Sequence, residues 1–264
     1  MQVLTIKQRD MKTTIRNTFF AVALTTIIFS GCTKTEDVID DTLNNNNTTT
    51  TSSTTPNLKD GYGVLAAVTS VSYTTVQGIT IPVTTNTATA GFFSAPGLNN
   101  MVDAGTVTLN SKTLTKSSNN AYVYDKLTDP LSFSQVTWSV SGSANVPAIS
   151  YTDDRQMPDF TGFNTLPATV TKANGLTISL GGAISNADSV YVIVSGGNNQ
   201  YILKRLGGNA SQCVFSASDL SPLGNTSTGM IQVAPWNYKK EDFNDKPYYF
   251  VLETVYSKIG VAIN

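Results

Sequence analysis

The feature that most constrains this chain is a series of short segments in which branched and aromatic residues alternate with small or polar ones. Residues 64–71 and 133–140 show the pattern, and in the second segment Trp138 shares its face with Val136 and Val140. A period of two residues is typical of a half-buried strand. No comparable stretch shows a sustained helical period with caps. The sequence therefore predicts an all-β fold.

The same pattern recurs in the second half of the chain, roughly every ten to fifteen residues. Its segments are residues 176–180, 189–195, 200–206, 212–217, 230–233 and 248–263. A polar stretch over residues 151–159 and a Pro-containing one over residues 164–167 separate this half from the first. This spacing predicts two tandem β-sandwiches of immunoglobulin or fibronectin type, residues 60–165 and 166–264. The prediction concerns architecture only, because the paired Cys and Trp of antibody domains are absent.

A different pattern precedes the strands. Lys12 and Arg16 lie ahead of a mainly apolar run, residues 19–29, and no charged residue occurs between Asn17 and Gly31. The run is shorter than the roughly 20 residues that a membrane-spanning helix needs. A basic head, a short apolar core and small residues at its end are typical of a secretory signal peptide. The alternatives are a membrane anchor or a buried helix. Residues 1–10 fit no targeting pattern, so we expect Met11 to be the true start.

The last four residues of this leader, Phe29-Ser30-Gly31-Cys32, resemble the lipobox of bacterial lipoprotein precursors. The resemblance implies that signal peptidase II removes residues 1–31 by cutting between Gly31 and Cys32. It also implies a diacylglyceryl thioether on Cys32 and a fatty acyl group, such as palmitate, on the new amino terminus, which makes the membrane a partner of the chain. The overall pattern is similar to uncharacterised two-domain lipoproteins of Gram-negative envelopes. An outer-membrane lipoprotein, on the periplasmic face or the cell surface, is therefore expected.

Residues 32–59 hold few apolar side chains and include an Asn and Thr/Ser run. Such a composition cannot offset the entropy of ordering the backbone, so we predict a disordered tether. Within it, Asp41-Thr42-Leu43 resembles an acceptor sequence that some Gram-negative bacteria O-glycosylate, which makes Thr42 a candidate glycan site. The charged residues at positions 34, 36 and 37 resemble surface-export signals of some lipoproteins, or are simply part of a solvated linker.

The charge and cysteine content of the chain limit which partners are expected. Removing the leader would take away four of the 17 basic and one of the 18 acidic residues, which leaves a net charge of −4. No long cationic run is present, so a nucleic-acid partner is not expected. With Cys32 lipidated, Cys213 has no cysteine partner within the chain and is expected to be an inert thiol in a strand.

Catalytic motifs are not apparent. The chain has no histidine, which removes the commonest general base and metal ligand. No phosphate-binding loop, dinucleotide fingerprint or nucleophile elbow occurs, and no cofactor or metal is expected. Asp153, Asp154, Asp159 and Glu253 leave a carboxylate-based glycan hydrolase as a less favoured alternative. The first three also suggest a calcium loop, against which a solvated turn is the plainer interpretation.

The segment over residues 235–248 is the strongest candidate surface in the sequence, because it carries Trp236, Tyr238 and Phe243 among charged residues between two predicted strands. Aromatic side chains beside Asn, Asp and Lys suit contacts with sugar rings or a protein partner. The alternative is that Trp236 and Phe243 fill the end of the sandwich. The sequence thus favours a non-catalytic binding or adhesion lipoprotein with a glycan or envelope-protein ligand. A structural envelope-assembly component is the alternative.

Overall fold

The computed structural model describes residues 58–76, 79–198 and 200–264. The predicted signal peptide, the lipidation site at Cys32, the tether up to residue 57 and the candidate acceptor Thr42 lie outside the described residues. They therefore stay predictions. Within the described part of the chain, no helix has the length and apolarity of a membrane-spanning segment.

The described residues form an all-β sandwich, as the sequence predicts. The strands are β1 (Gly63–Val76), β2 (Ile79–Phe92), β3 (Val107–Leu109), β4 (Lys112–Thr113), β5 (Thr115–Lys116), β6 (Tyr122–Tyr124), β7 (Val136–Val140), β8 (Ile149–Asp153), β9 (Asp159–Phe160), β10 (Thr169–Val170), β11 (Leu176–Ser179), β12 (Ile184–Ser185), β13 (Ser189–Ser195), β14 (Tyr201–Gly207), β15 (Gln212–Phe215), β16 (Thr226–Phe243) and β17 (Lys246–Ile263). One α-helical turn, α1 (Ala217–Leu220), and 3-10 turns at Leu58–Asp60, Phe163–Thr165 and Lys172–Asn174 complete the described elements.

A large nine-stranded sheet runs in the order β14-β13-β16-β17-β1-β2-β6-β5, and β10 adds to β17. Its centre is a parallel ladder between β1 and β17, from the pair Gly63 and Tyr248 to the pair Ser72 and Ser257. The other ladders along this order are antiparallel. Strands from both predicted domains therefore share one sheet, and the boundary at residue 165 stays a prediction.

Two cores pack side by side on one face of the large sheet. Leu65 and Phe250 belong to the first core, beneath the sheet β4-β3-β7-β8, and Trp138 is buried there with Val136 and Val140, with which it shares a face of β7. Val71 and Tyr256, on the same face of the same two strands, belong to the second core with residues of β11, β15 and α1. Residues an even number of positions apart share a face of a strand, so both cores use one side of β1 and β17.

A third cluster lies on the opposite face of the same strands. It contains Val64, Ala66, Val68 and Trp236, with Leu58 packed against it. Because side chains alternate between faces, β1 contributes to all three clusters and is apolar on both sides over residues 64–68. This explains why these five residues form a continuous apolar run, whereas polar residues occur between the later apolar ones.

The structure corrects the prediction that residues 235–248 connect two strands. They lie inside a hairpin of two 18-residue strands, β16 and β17, closed by Asn244 and Asp245. Both turn residues have positive φ, 51° and 58°, which is the backbone of a two-residue type I′ turn. Asn and Asp tolerate that conformation better than most residues, and a primed turn matches the right-handed twist of the strands.

Candidate functional site

The three predicted aromatic residues do not form one surface. Trp236 is 3% exposed and stacks on Tyr191, with ring centroids 5.5 Å apart. Tyr238 is half-buried on the same face of β16, 6.0 Å from the ring of Trp236. Phe243 has the opposite parity and packs half-buried in the first core, 5.9 Å from Tyr248. Trp236 therefore fills the interior, which was the alternative interpretation of this segment.

The carboxylate of Asp153 forms an ion pair with the guanidinium of Arg155. Its 2% exposed carboxylate accepts hydrogen bonds from Arg155 Nε at 2.9 Å and Nη2 at 2.6 Å. Arg155 Nη1 donates to the carbonyl of Tyr238 at 2.9 Å. This pair joins the end of β8 to β16, and its geometry is that of a structural clamp because the carboxylate oxygens face the guanidinium.

The other three carboxylates lie elsewhere. Asp154 is exposed beside the clamp, and Asp159 on β9 accepts a hydrogen bond from the hydroxyl of Tyr256. Glu253 is 4% exposed on β17, opposite Val68 and Trp236 in the ladders, and burial raises the pKa of its carboxyl to about 7. Within residues 58–76, 79–198 and 200–264, no group of three or more Cys, Asp or Glu residues is placed to hold a metal ion.

Cys213 is buried on β15 in the second core. Burial raises the pKa of its thiol to about 12. A thiol that stays protonated is a poor nucleophile and a poor metal ligand. The side chain therefore packs as a small apolar group, in agreement with the interpretation from sequence.

The structure contains a cleft that the sequence did not predict, at one end of the large sheet. We call it the rim cleft. Its volume is about 330 Å³, and its lining residues are Ser195, Gly196, Gly197, Asn198, Gln200, Tyr201, Thr226, Thr228, Met230 and Ile259. These residues come from the end of β13, the turn into β14, the start of β16 and the end of β17.

Strand register fixes the floor of the rim cleft. Tyr201 pairs with Ser195, Ser195 with Met230, and Met230 with Ile259, so these four residues are successive partners across three ladders. Directly paired residues project to the same side of a sheet. The floor is therefore a row of side chains on the face that also carries Trp236.

Glycines shape the wall beside β13. Gly197 forms an isolated bridge with Gly224, and a Cβ on Gly196 would lie 2.7 Å from the carbonyl oxygen of Gly224. Any larger residue at position 196 would push the two segments apart. The glycine pair 196–197 thus does more than reverse the chain, because it lets two backbones meet at the edge of the cleft.

The chemistry of the lining is neutral. Its polar side chains are the amides of Asn198 and Gln200 and three hydroxyls of Ser or Thr residues, and no charged residue is among the ten. Amides and hydroxyls can each donate and accept hydrogen bonds. The apolar part consists of the Tyr201 ring, Met230 and Ile259. Such a mixture suits an uncharged ligand that has both polar groups and an apolar face.

Exposed apolar residues continue beyond the cleft along the same face. Ile259 is 43% exposed and Tyr201 37% exposed, whereas Met230 between them is buried. On β2, Val83 and Ile81 are also exposed, and Val83 pairs with Ser72, whose partner Ser257 lies two residues before Ile259. Four of the large exposed apolar side chains in the described ranges therefore lie at one end of one sheet face. We call Ile81, Val83 and Ile259 the apolar strip.

The described chain begins at the other end of the sheet. Tyr62 donates its backbone N–H to Pro247 at 2.7 Å, and Asp60 accepts hydrogen bonds from Lys240 at 2.6 Å and from the hydroxyl of Tyr249. From Tyr248 to Ile259 the strand β17 advances by eleven residue steps, which corresponds to about 35 Å. The rim cleft and the start of the described chain are thus at opposite ends of the central strands.

No protein-family model matches this chain, and no curated protein is significantly similar to it. The rim cleft is also not apparent from any local motif, because four separate segments contribute to it. The only local signal is the sequence Gly196-Gly197-Asn198, followed by Gln200-Tyr201, in which amides and an aromatic residue follow a glycine pair at a turn.

Proposed function

We propose that this chain is an outer-membrane lipoprotein, anchored through Cys32, whose folded part binds an envelope ligand without catalysis. The carrying observation is that the rim cleft lies at the end of the central strands opposite to Leu58–Asp60, where the described chain begins. With residues 32–57 as a tether to the lipid, this arrangement would present the cleft away from the membrane. Tyr201 and Thr228 are exposed in the lining, which favours a ligand-binding role for the cleft over a role in packing alone.

Anchoring is tested by fractionating cells that produce the full-length protein. Cys32→Ala should abolish acylation and leave a larger precursor, because the peptidase implied by the lipobox requires the cysteine. Mass spectrometry of the mature amino terminus reads out the acyl groups. A wild-type mature protein without acyl groups, or a Cys32→Ala protein cut at the same site as the wild type, would contradict the lipoprotein proposal.

Binding through the rim cleft is tested by obstructing it. Thr228 is exposed at the cleft, so Thr228→Trp should fill the opening without disturbing a core. The matched control is Thr177→Trp, at an exposed position of β11 away from the cleft. Full-length protein purified in detergent should retain components of an envelope extract in the wild type and in the control, and lose them in Thr228→Trp. Equal retention by all three proteins, or by none, would refute a binding role for the cleft.

A structural envelope component is the second candidate, and the apolar strip is the observation that favours it. Exposed apolar side chains in one patch are typical of interaction sites. This alternative predicts a stable oligomer in light scattering that Ile81→Ser with Ile259→Ser converts to a monomer. A wild-type monomer at micromolar concentration would exclude self-assembly through the apolar strip.

The carboxylate hydrolase is not favoured by the positions of its candidate residues. Asp153 pairs with Arg155, Asp159 accepts from Tyr256, and Glu253 is buried opposite Trp236. Turnover of an envelope polysaccharide that disappears in Asp154→Asn would restore this alternative.

A further inference from the structure

We infer that the rim cleft binds a neutral carbohydrate chain, with one sugar ring placed on the side chain of Tyr201. This inference rests on the proposed function, since it names the ligand class for the same cleft. It is supported by three features of the cleft, namely the absence of charged side chains, the arrangement of its apolar and polar groups, and the pairing of the strands that form its floor.

The absence of charge among the ten lining residues selects against ionic ligands. Sites for phosphate, sulfate or carboxylate groups use Arg, Lys or clustered backbone N–H groups, because a buried anion without such partners is costly. Sites for cations use carboxylates. The rim cleft offers neither type of side chain. Its ligand is therefore uncharged where it contacts the lining.

The arrangement of groups matches a sugar ring. A pyranose has an apolar face of C–H groups and a perimeter of hydroxyls, each of which donates and accepts hydrogen bonds. The ring of Tyr201 is 37% exposed on the cleft floor and provides a flat apolar platform. The amides of Asn198 and Gln200 precede it in sequence, and the hydroxyls of Thr226 and Thr228 belong to the same cleft and lie 3.1 Å apart. Hydrogen-bonding groups and an apolar platform thus line the same cleft.

The small volume of the rim cleft and the apolar strip beside it indicate a chain of sugars instead of a single sugar. A volume of about 330 Å³ is at the lower end of the range of ligand pockets, roughly 300–1,000 Å³, so only a small part of a ligand is enclosed. The apolar strip continues on the same face from Ile259 toward Val83. Further sugar rings of one chain have a surface to follow there.

The backbone argues against an extended peptide as the ligand. Peptides that bind to sheets usually pair with the unpaired main chain of an edge strand. The floor of the rim cleft takes its side chains from β14, β13, β16 and β17, of which β13, β16 and β17 are paired on both sides and β14 is an edge strand. Strand addition is therefore available only along the free edge of β14, and the rest of the floor presents side chains to its ligand.

The test uses full-length protein purified in detergent and neutral hexasaccharides of glucose, mannose, galactose and N-acetylglucosamine, with oligogalacturonate as the anionic probe. Titration calorimetry should detect binding of at least one neutral hexasaccharide and no tighter binding of oligogalacturonate. Tyr201→Ala should weaken this binding at least tenfold, and Tyr201→Phe should change it less than threefold, since the ring provides the platform. Leu127→Ala, at a 73% exposed position outside the cleft, is the matched control and should bind as the wild type does.

Three outcomes would overturn the inference. They are no binding of any neutral hexasaccharide, equal binding by Tyr201→Ala and wild type, or preference for the anionic probe. If the protein nevertheless retains envelope components in a manner that Thr228→Trp abolishes, the proposed function stands with a ligand of another class, such as a protein. If that retention is absent as well, both proposals fail.

Discussion

The two ends of the central strands differ in how far their side chains are paired and packed. At the end where the described chain begins, Asp60 bonds to Lys240 and Tyr249, and a Cβ on Gly63 would lie 2.6 Å from the ring of Tyr248. At the other end, the lining is neutral and Ile259 is 43% exposed. We call the first the closed end, because side-chain contacts fill it, and the second the open end, because its side chains are exposed; we propose that the open end is the one that contacts a ligand.

The largest expected effect concerns stability at the closed end. Phe250 is 1% exposed in the first core and stacks on Tyr151 at 3.8 Å. Phe250→Ala should lower the free energy of unfolding by about 3–5 kcal/mol, because it removes a buried aromatic ring and leaves a cavity. Chemical denaturation measures the change. A loss below about 1 kcal/mol would mean that this end is not the packed region described.

Glu253 provides a pH-dependent test midway along β17. Burial raises the pKa of its carboxyl from 4.5 to about 7, so the folded state favours the protonated form. Because the pKa is higher in the folded state than in the unfolded state, the free energy of unfolding is greatest below pH 4.5, falls as the pH rises toward 7, and then levels off. The expected fall is about 3 kcal/mol, from roughly 1.36 kcal/mol per pKa unit.

Denaturation curves between pH 4.5 and 8 measure this dependence. Glu253→Gln is the matched variant, because it keeps the shape of the side chain and cannot ionise. It should flatten the curve and be more stable than the wild type at pH 8. Parallel curves for the two proteins would show that Glu253 is not buried in the folded protein.

The carboxylate of Asp153 is expected to contribute to the stability of the fold and not to catalysis. Asp153→Asn removes the ion pair with Arg155, whose side chain is 30% exposed, and should cost about 1–3 kcal/mol. Asp154→Asn, one residue further at an exposed position, is the control and should cost less than about 0.5 kcal/mol. Loss of an enzymatic activity in Asp153→Asn without loss of stability would contradict the structural role of the clamp.

The smallest effect on stability is expected at the open end. Ile259→Ser changes an exposed side chain and should alter the free energy of unfolding by less than about 0.5 kcal/mol. The same variant should weaken retention of envelope components, because it removes part of the cleft floor. A large loss of stability with unchanged binding would reverse the comparison between the two ends.

Local periodicity predicted the class of the fold and many of its strands. Residues 189–195 and 200–206 were predicted as strands and coincide with β13 and β14 to within a residue. The pattern failed at residues 239–242, where four consecutive charged residues hide the alternation of β16. The turn residues Asn244 and Asp245 contained the correct signal for a hairpin.

Long-range pairing explains what the sequence did not predict. The parallel ladder between β1 and β17 joins residues that are 185 positions apart in the pair Gly63 and Tyr248, and no local pattern specifies it. The same is true of the rim cleft, in which Tyr201, Met230 and Ile259 meet only through three ladders. Trp236 illustrates a related case, since its charged neighbourhood left both exposure and burial open from the sequence, and the paired strands provide burial.

Methyl NMR of the full-length protein in detergent tests the central claim most directly, with neutral oligosaccharides released from the envelope as the titrant. We expect the methyl signals of Met230 and Ile259 to shift on titration, while those of Leu58 and Leu127 stay in place. Shifts confined to Leu58 and its neighbours at the closed end would contradict the claim that the ligand contacts the rim cleft.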